Sequence, residues 1–285
     1  MRKGSVAIVG CGWLGLPLAE HLVGVGYTVH GSTTSPEKLA AIRAAGAAPH
    51  LVRLPLAAPL DGGAATEPGI AGGLSLGPHA PRPESANADA ALWACEQLVL
   101  TVPPGRAPDA VRTYPAAVLS AVLRYRRAQP AGRIVFTSST GVYGGARGGV
   151  DETTPITDAS DKVRKLALAE SQVAAQSQRP YTILRLGGLY GGERHPGRSL
   201  AGRQDLPNGD APVNLVGRER VIATIAALLD EPFWRKPIIN VVDPDHPPKA
   251  DFYRDYARAH GLPEPTFRPG GADGKVVGSI YGAVA

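Results

Sequence analysis

The stretch Ser5–Gly26, "SVAIVGCGWLGLPLAEHLVGVG", decides the fold. Ser5 to Gly10 is a short β-branched run closed by a glycine, the pattern of a strand buried on both faces. Leu14, Leu18, Leu22 and Val25 then recur at helical spacing, and Gly26 ends that helix. At the junction Gly10, Gly12 and Gly15 form G-x-G-x-x-G, with Trp13 and Leu14 inside the loop. In a chain with 35 glycines the match alone means little. Between a strand and an amphipathic helix it stands in the context that dinucleotide binding requires. The first glycine permits a tight turn, the second lets backbone approach a pyrophosphate, and the third lets helix and strand pack closely. The helix N-terminus offers free N–H groups to the phosphates.

Downstream, the alternation continues. "YTVHGST" reads as a second strand, and "SPEKLAAIRAAG" as a helix with Ser35 as N-cap, Pro36 in the first turn and Gly46 at its end. "HLVRLPL" and "EQLVLTVPP" are the third and fourth strands, followed by a long helix over about 109–127. "RIVFTSS" is the fifth strand, a helix opens near Asp158 or Ser160, and "YTILRLGGLYG" is the sixth strand. Strands alternating with helices imply a Rossmann-type doubly wound α/β parallel sheet, covered on both faces. Residues 61–91 break the rhythm with Gly, Pro and Ala and almost no large apolar anchor, and are expected to be a mobile surface insertion. After Gly191 come turns, a helix over about 219–230, a strand "KPIINVV" and a helix over about 249–260. The expected division is a dinucleotide-binding domain over 1–190 and a smaller substrate lobe over 191–285, interleaved with it.

The second strand ends without the carboxylate that would hydrogen-bond an adenosine 2′-hydroxyl. It offers Ser32, Thr33 and Thr34, with Lys38 one turn later, which suits a 2′-phosphate and favours NADP over NAD. Thr101 and Pro103, just after the fourth strand, complete the expected cofactor set.

The bulk composition excludes several classes. Lys and Arg number 30 against 25 Asp and Glu, but no aromatic-basic cluster accompanies them, which argues against a nucleic-acid binder. Cys11 and Cys95 each flank an apolar run without metal-ligand spacing, so both are expected to be reduced core thiols. Arg2 and Lys3 ahead of apolar residues resemble a secretion signal, but glycines interrupt the apolar run. No stretch approaches about 18 apolar residues. A cytoplasmic protein with a small-molecule substrate, no metal and no membrane contact is the expectation; the oligomeric state is open.

The order of glycine loop, "FTSSTGVYG", "ETTP", "LRLGGLYG", "HPGR" and "VNLV" resembles the extended and atypical short-chain dehydrogenase/reductases. More narrowly it resembles the bacterial NAD-dependent epimerase/dehydratase-like proteins of the YeeZ type. The resemblance implies a nicotinamide cofactor and carbonyl or alcohol chemistry, often on sugar nucleotides. It also implies that Ser139, four residues before Tyr143, hydrogen-bonds the reacting oxygen. An acid/base tyrosine is then due on the next helix, four residues ahead of a lysine on the same face, where the ammonium favours the phenolate. No tyrosine lies between Tyr143 and Tyr181, so that pair is missing. Gly217 and Arg220 stand where the family often has His and Asp.

Replacement candidates are Tyr143 and Lys165, with Lys162 on the same helix. Tyr190, His195, Arg198 and Asn214 are the expected substrate contacts, His195 lying in a basic loop with Arg194 and Arg203 suited to a carboxylate or phosphate. Two functions compete. One is an oxidoreductase or epimerase/dehydratase-type enzyme with a noncanonical proton donor, acting on a small anionic or sugar-like substrate. The other is a non-catalytic NAD(P)-binding sensor or regulatory partner, which the missing tyrosine favours.

Overall fold

The computed structural model describes residues 3–56, 89–175, 180–232 and 236–282. The insertion expected over 61–91 lies outside these residues except at Asp89 to Ala91, where the chain enters the short helix α3 (Ala90–Trp93). One seven-stranded sheet has the order β10-β7-β5-β4-β1-β2-β3, and all its pairings are parallel. Its strands are β1 (Ser5–Val9), β2 (Thr28–Thr33), β3 (Ala48–Leu51), β4 (Gln97–Leu100), β5 (Arg133–Ser139), β7 (Tyr181–Leu186) and β10 (Ile238–Val241). β10, from beyond Gly191, is an edge strand of this sheet and pairs with β7.

The uninterrupted apolar runs are explained by burial on both sides. Val6 and Ile8 of β1 enter one core and Ala7 and Val9 the other, and Val135 is likewise opposed to Ile134 and Phe136 in β5. The first core is closed by α1 (Gly15–Gly24), α2 (Leu39–Ala44) and α6 (Arg218–Asp230) through Leu18, Leu22, Ile42 and Ile225. The second is closed by α3, α4 (Ala110–Ala128) and α5 (Asp161–Ala175) through Trp93, Val118, Tyr125, Leu166 and Val173.

Two small parallel pairs lie beyond the main sheet. β8 (Gly188–Tyr190) pairs with β9 (Leu215–Gly217), and β6 (Gly148–Val150) pairs with β11 (Lys275–Val277). α7 (Lys249–Ala259) completes the elements. Among the described residues no helix is long and apolar enough to cross a membrane.

Four local expectations are corrected. "YTILRLGGLYG" is two strands rather than one: the chain leaves the main sheet at Gly187, whose missing side chain lets the Leu215 backbone approach to 2.9 Å of its Cβ position. Ser35 makes no side-chain cap. Its own N–H donates to Thr33 Oγ1, and a single 3-10 turn (Pro36–Lys38) precedes α2. The third strand starts earlier than read and stops at Leu51. Val25 sits at the exposed end of α1 and not on its buried face. Cys11 and Cys95 are free and buried, and burial pushes both thiols up to about 12.

Candidate functional site

The chain reverses its direction of winding between β1 and β4, so their carboxyl ends diverge and leave a crevice. Here an open cleft of about 820 Å³ is lined from the ends of β1, β2, β4, β5 and β7. That size suits a dinucleotide-sized ligand.

On the β1 side each glycine of the loop has its own geometry. Gly10 has φ of 108°, and a Cβ there would press to 3.1 Å on Thr101 Oγ1. The Thr101 hydroxyl donates to the Gly10 carbonyl at 2.8 Å and so ties the two sides of the crevice. A Cβ on Gly15 would collide with the Gly10 carbonyl oxygen, so only glycine lets α1 start this close to β1. Gly12 is the opposite case: nothing lies within 4 Å of its Cβ position, and Gly12 lines the cleft. The loop therefore has room for a phosphate group at Gly12, beside the unpaired N–H groups that begin any helix.

Gly10, Gly12, Trp13, Leu14, Ser32, Thr33, Thr34, Lys38, Thr101 and Pro103 all line this cleft, whereas Gly15 lies behind it. Two of the hydroxyls at the β2 end are already engaged. Ser32 Oγ accepts from Gly10 N–H at 3.3 Å, and Thr33 Oγ1 from Ser35 N–H at 3.2 Å. Thr34 and Lys38 are exposed and face the cleft.

At the end of β5, Ser138 and Ser139 both line the cleft, with opposite hydrogen-bonding polarity. Ser138 donates its hydrogen to Glu170 Oε1 at 2.6 Å, which leaves only its lone pairs for a ligand. Ser139 accepts the Gly141 N–H at 3.0 Å, which leaves its hydrogen free to donate. Behind Ser138 runs a buried network. Arg185 pairs with Glu170 at 2.7 Å and donates to Tyr143 Oη at 3.0 Å, and Tyr143 donates to Asn240 Oδ1 at 2.8 Å. Burial pushes the Tyr143 phenol above its ordinary value, with Arg185 working against the shift. Burial also opposes the charge of Arg185, but Glu170 and Tyr143 together more than offset it and hold the guanidinium protonated.

The expected catalytic and substrate groups are therefore scattered. Ser139 faces the cleft. Tyr143 is buried, with its hydroxyl committed to Arg185 and Asn240. Lys165 donates to the Gly105 carbonyl at 2.8 Å, tying α5 to the cleft loop after β4. Lys162 and Ser139 flank a common point: Lys162 Cε lies 3.5 Å and Ser139 Oγ 3.2 Å from the Cβ position of Gly141, although neither Lys162 nor Lys165 is among the residues that line the cleft. Tyr190 donates to Asp243 at 2.7 Å, and Asn214 uses both ends of its amide on the backbone of Lys275 and Val277. His195 stacks on Tyr256 at 3.7 Å, while its Nδ1 accepts the Gly197 N–H. Arg198 donates to Tyr256 Oη and is held away from the cleft lining.

Arg194, one residue before His195, is the basic side chain that does line the cleft from this loop. The sequence reading passed over Ser138, Glu170 and Arg185. The signal for Glu170 and Arg185 is a charged residue inside each of two apolar patterns, "ALAESQVAA" and "YTILRLG"; Ser138 carries none.

The parallel Rossmann sheet is a fold that this chain shares with structures solved as NAD-dependent epimerases and dehydratases. The UDP-glucuronic acid 4-epimerase of Bacillus cereus, solved in complex with NAD, superposes with a TM-score of 0.69 over 96% of this chain and 89% of its own, at 14% identity. The Bordetella bronchiseptica enzyme WbmH, in complex with NAD+, gives 0.69 over 96% and 88%, at 16% identity. No protein-family model matches the chain. Protein YeeZ of Escherichia coli strain K12 is 38% identical over 271 residues, spanning 94% of this chain and 87% of YeeZ. The chain belongs to the YeeZ family.

Proposed function

We propose that the protein is an NAD(P)-dependent enzyme of the atypical short-chain dehydrogenase/reductase type. It carries out oxidoreductase or epimerase/dehydratase-type chemistry on a small anionic or sugar-like carbonyl or alcohol substrate. The observation that carries this reading is the pairing, in one cleft, of an open phosphate-sized space at Gly12 with the free hydroxyl hydrogen of Ser139. The NAD held by the Bacillus and Bordetella proteins supports the choice of ligand.

Gly10, Gly12, Trp13 and Leu14 would hold the pyrophosphate, and Thr34 and Lys38 the adenosine ribose end. The Thr34 hydroxyl and the Lys38 ammonium there favour NADP over NAD. When bound, the nicotinamide supplies hydride exchange. The chain's own contribution is orientation and proton handling. Ser139 donates to the reacting oxygen, and Ser138 accepts from a neighbouring donor on cofactor or substrate. Tyr143, Tyr190 and Asn214 keep their polar atoms for the fold. Lys162, flanking the same point as Ser139, is the side chain best sited to carry the proton, directly or through water.

Titration of NADPH and NADH by fluorescence tests the cofactor. No binding of either at high micromolar concentration would end this reading. Oxidation of NADPH against aldehydes, ketones and sugar nucleotides tests the chemistry. The second reading, a dinucleotide-binding sensor or regulatory partner, draws on Asp161 standing where the acid/base tyrosine is due. Tight cofactor binding with silence across the whole panel would favour it.

A further inference from the structure

A second cavity lies at the carboxyl end of the edge strand β10, where the chain turns toward α7. It holds about 220 Å³, against about 820 Å³ for the cleft, and the two linings share no residue. The loop after β10 lines it with Asp243, Pro244 and His246, and the end of β11 and the segment after it with Val277, Gly278 and Ser279. Asn240 lines it too, with its amide engaged at both ends: Oδ1 accepts from Tyr143, and Nδ2 donates to the Gly278 carbonyl at 2.8 Å. Glu152 ties the two segments together, accepting the Asn240 N–H at 2.7 Å and the Ser279 hydroxyl at 2.6 Å. The walls are therefore held in place before a ligand arrives.

Three of the side chains that line it have lone pairs left and no hydrogen. His246 Nδ1 lies 3.0 Å from the Val213 carbonyl. A carbonyl only accepts, so Nδ1 carries the hydrogen and, in the neutral ring, Nε2 presents a lone pair. The Ser279 hydroxyl donates to Glu152 and accepts the Tyr281 N–H at 3.3 Å, which leaves one lone pair. Asp243 accepts from Tyr190, Arg220 and Gly217, which fill three of the roughly four acceptor positions of a carboxylate. Beside these acceptors lie the apolar carbons of Pro244 and Val277.

We infer that this cavity is a second small-molecule site, which takes a single hydroxylated or amino-bearing ring of pyranose size. Such a ring brings donors to the three acceptors and lays its C–H groups on Pro244 and Val277. Drug-sized ligands fill about 300–1,000 Å³, so this volume admits one ring and not a dinucleotide. A carboxylate brings only acceptors and meets the charge of Asp243, so an anionic ring is refused. The site stands whether or not the cleft performs the proposed function.

The test is saturation-transfer NMR on the full chain with methyl glucopyranoside, its amino-sugar counterpart and methyl glucuronide as probes. The first two should receive saturation from the protein. His246→Phe keeps a ring but removes an acceptor, and should weaken their binding about tenfold. Gly278→Leu should abolish it. Nothing lies within 4 Å of the Gly278 Cβ position and its φ is not positive, so the added side chain takes open space without backbone strain. Thermal unfolding of each variant near the parent's midpoint shows that the loss is local.

A stronger response from the amino sugar assigns Asp243 as the principal contact, and an equal or weaker one assigns recognition of hydroxyls; either result upholds the site. Saturating NADPH should leave the signal in place, because the two linings share no residue. Displacement by NADPH overturns the site, as does a signal that survives both substitutions. A glucuronide signal that the substitutions remove, or no signal from the glucoside and the amino sugar with the unaltered chain, overturns it equally.

Discussion

On the β1–α1 wall of the cleft, Gly10, Gly12 and Gly15 are each held to a separate geometric task. On the β5–α5 wall, the polar groups are mostly committed to one another: Ser138 to Glu170, Glu170 to Arg185, and Arg185 to Tyr143. The first wall is made of absences of side chain, and a ligand completes it. The second is made of side chains that already satisfy one another, and Ser139 is the group there with a hydrogen to spare. The difference separates what the cleft holds from what it can do. On the proposed function, holding a dinucleotide needs no helix tyrosine, whereas proton transfer would have to be rebuilt from the groups still uncommitted.

The largest effects come from breaking the first wall in two ways. Gly15→Val forces atoms into the Gly10 carbonyl, and the chain should fail to fold to the native state, as seen by loss of cooperative thermal unfolding. Gly12→Val places its branch in open cleft, so stability should stay within about 0.5 kcal/mol of the parent. Dinucleotide affinity should fall by about two orders of magnitude or more, because the backbone can no longer approach the pyrophosphate. Equal destabilisation by both substitutions would mean that the two glycines are not divided in this way.

The second wall breaks through its buried charge. The Arg185 and Glu170 side chains are only 4% and 7% exposed. Glu170→Ala strands the guanidinium, and urea unfolding should show a loss of about 3–5 kcal/mol. It also frees Ser138's hydrogen, so the variant's ligand selectivity should shift toward acceptors at that position. A cost below about 1 kcal/mol would show that water reaches Arg185 and that the network is looser than its distances indicate.

The glycine wall was legible because its logic is local. Residues ten to fifteen positions along the chain specify the turn, the approach and the packing by residue type alone. The double burial of β1 and β5 was legible for a similar reason, as uninterrupted apolar runs. The α5 wall was not. Whether Tyr143 faces a substrate or the interior depends on Arg185 and Asn240, some 40 and 97 residues away, and no local pattern reveals that pairing. The intramolecular partners of Tyr190, Asn214 and Arg198 likewise come from segments about 50–60 residues away. The break at Gly187 was hidden too, since a strand leaving the sheet between two glycines has the same composition as one that continues.

Within the second wall the two serines can be set against each other. Ser139→Ala removes the free donor, and turnover should fall about 10²–10³-fold with little change in dinucleotide affinity, the usual loss for one preorganised donor to a developing charge. Ser138→Ala removes an acceptor from the cleft together with the hydrogen bond that Ser138 donates to Glu170, and turnover should fall about tenfold or less. Lys162→Met should lower turnover more than Lys165→Met. The latter should instead loosen the loop at Gly105 and show itself in the Michaelis constant. If Lys165→Met carries the larger turnover loss, the proton path runs along the other lysine.

The smallest expected effect lies outside both walls and separates stability from binding. Burial, then the nearby His260 and Arg198, hold the His195 imidazole below its ordinary 6.5, and burial with His50 does the same for His30. In the unfolded chain both rings regain the ordinary value, so as pH falls through 6.5 the unfolded state takes up protons first. Their contribution to stability is therefore complete above that pH and declines as acid is added toward the folded-state values. Urea unfolding between pH 7.5 and 5.5 should show this slope, and His195→Gln should remove part of it. Dinucleotide affinity of the folded chain should stay flat over the same interval, because neither ring lines the cleft. An affinity that tracks the stability slope would mean that the His195 stack and the glycine wall respond together, and the division between a holding wall and the rest of the molecule would have to be redrawn.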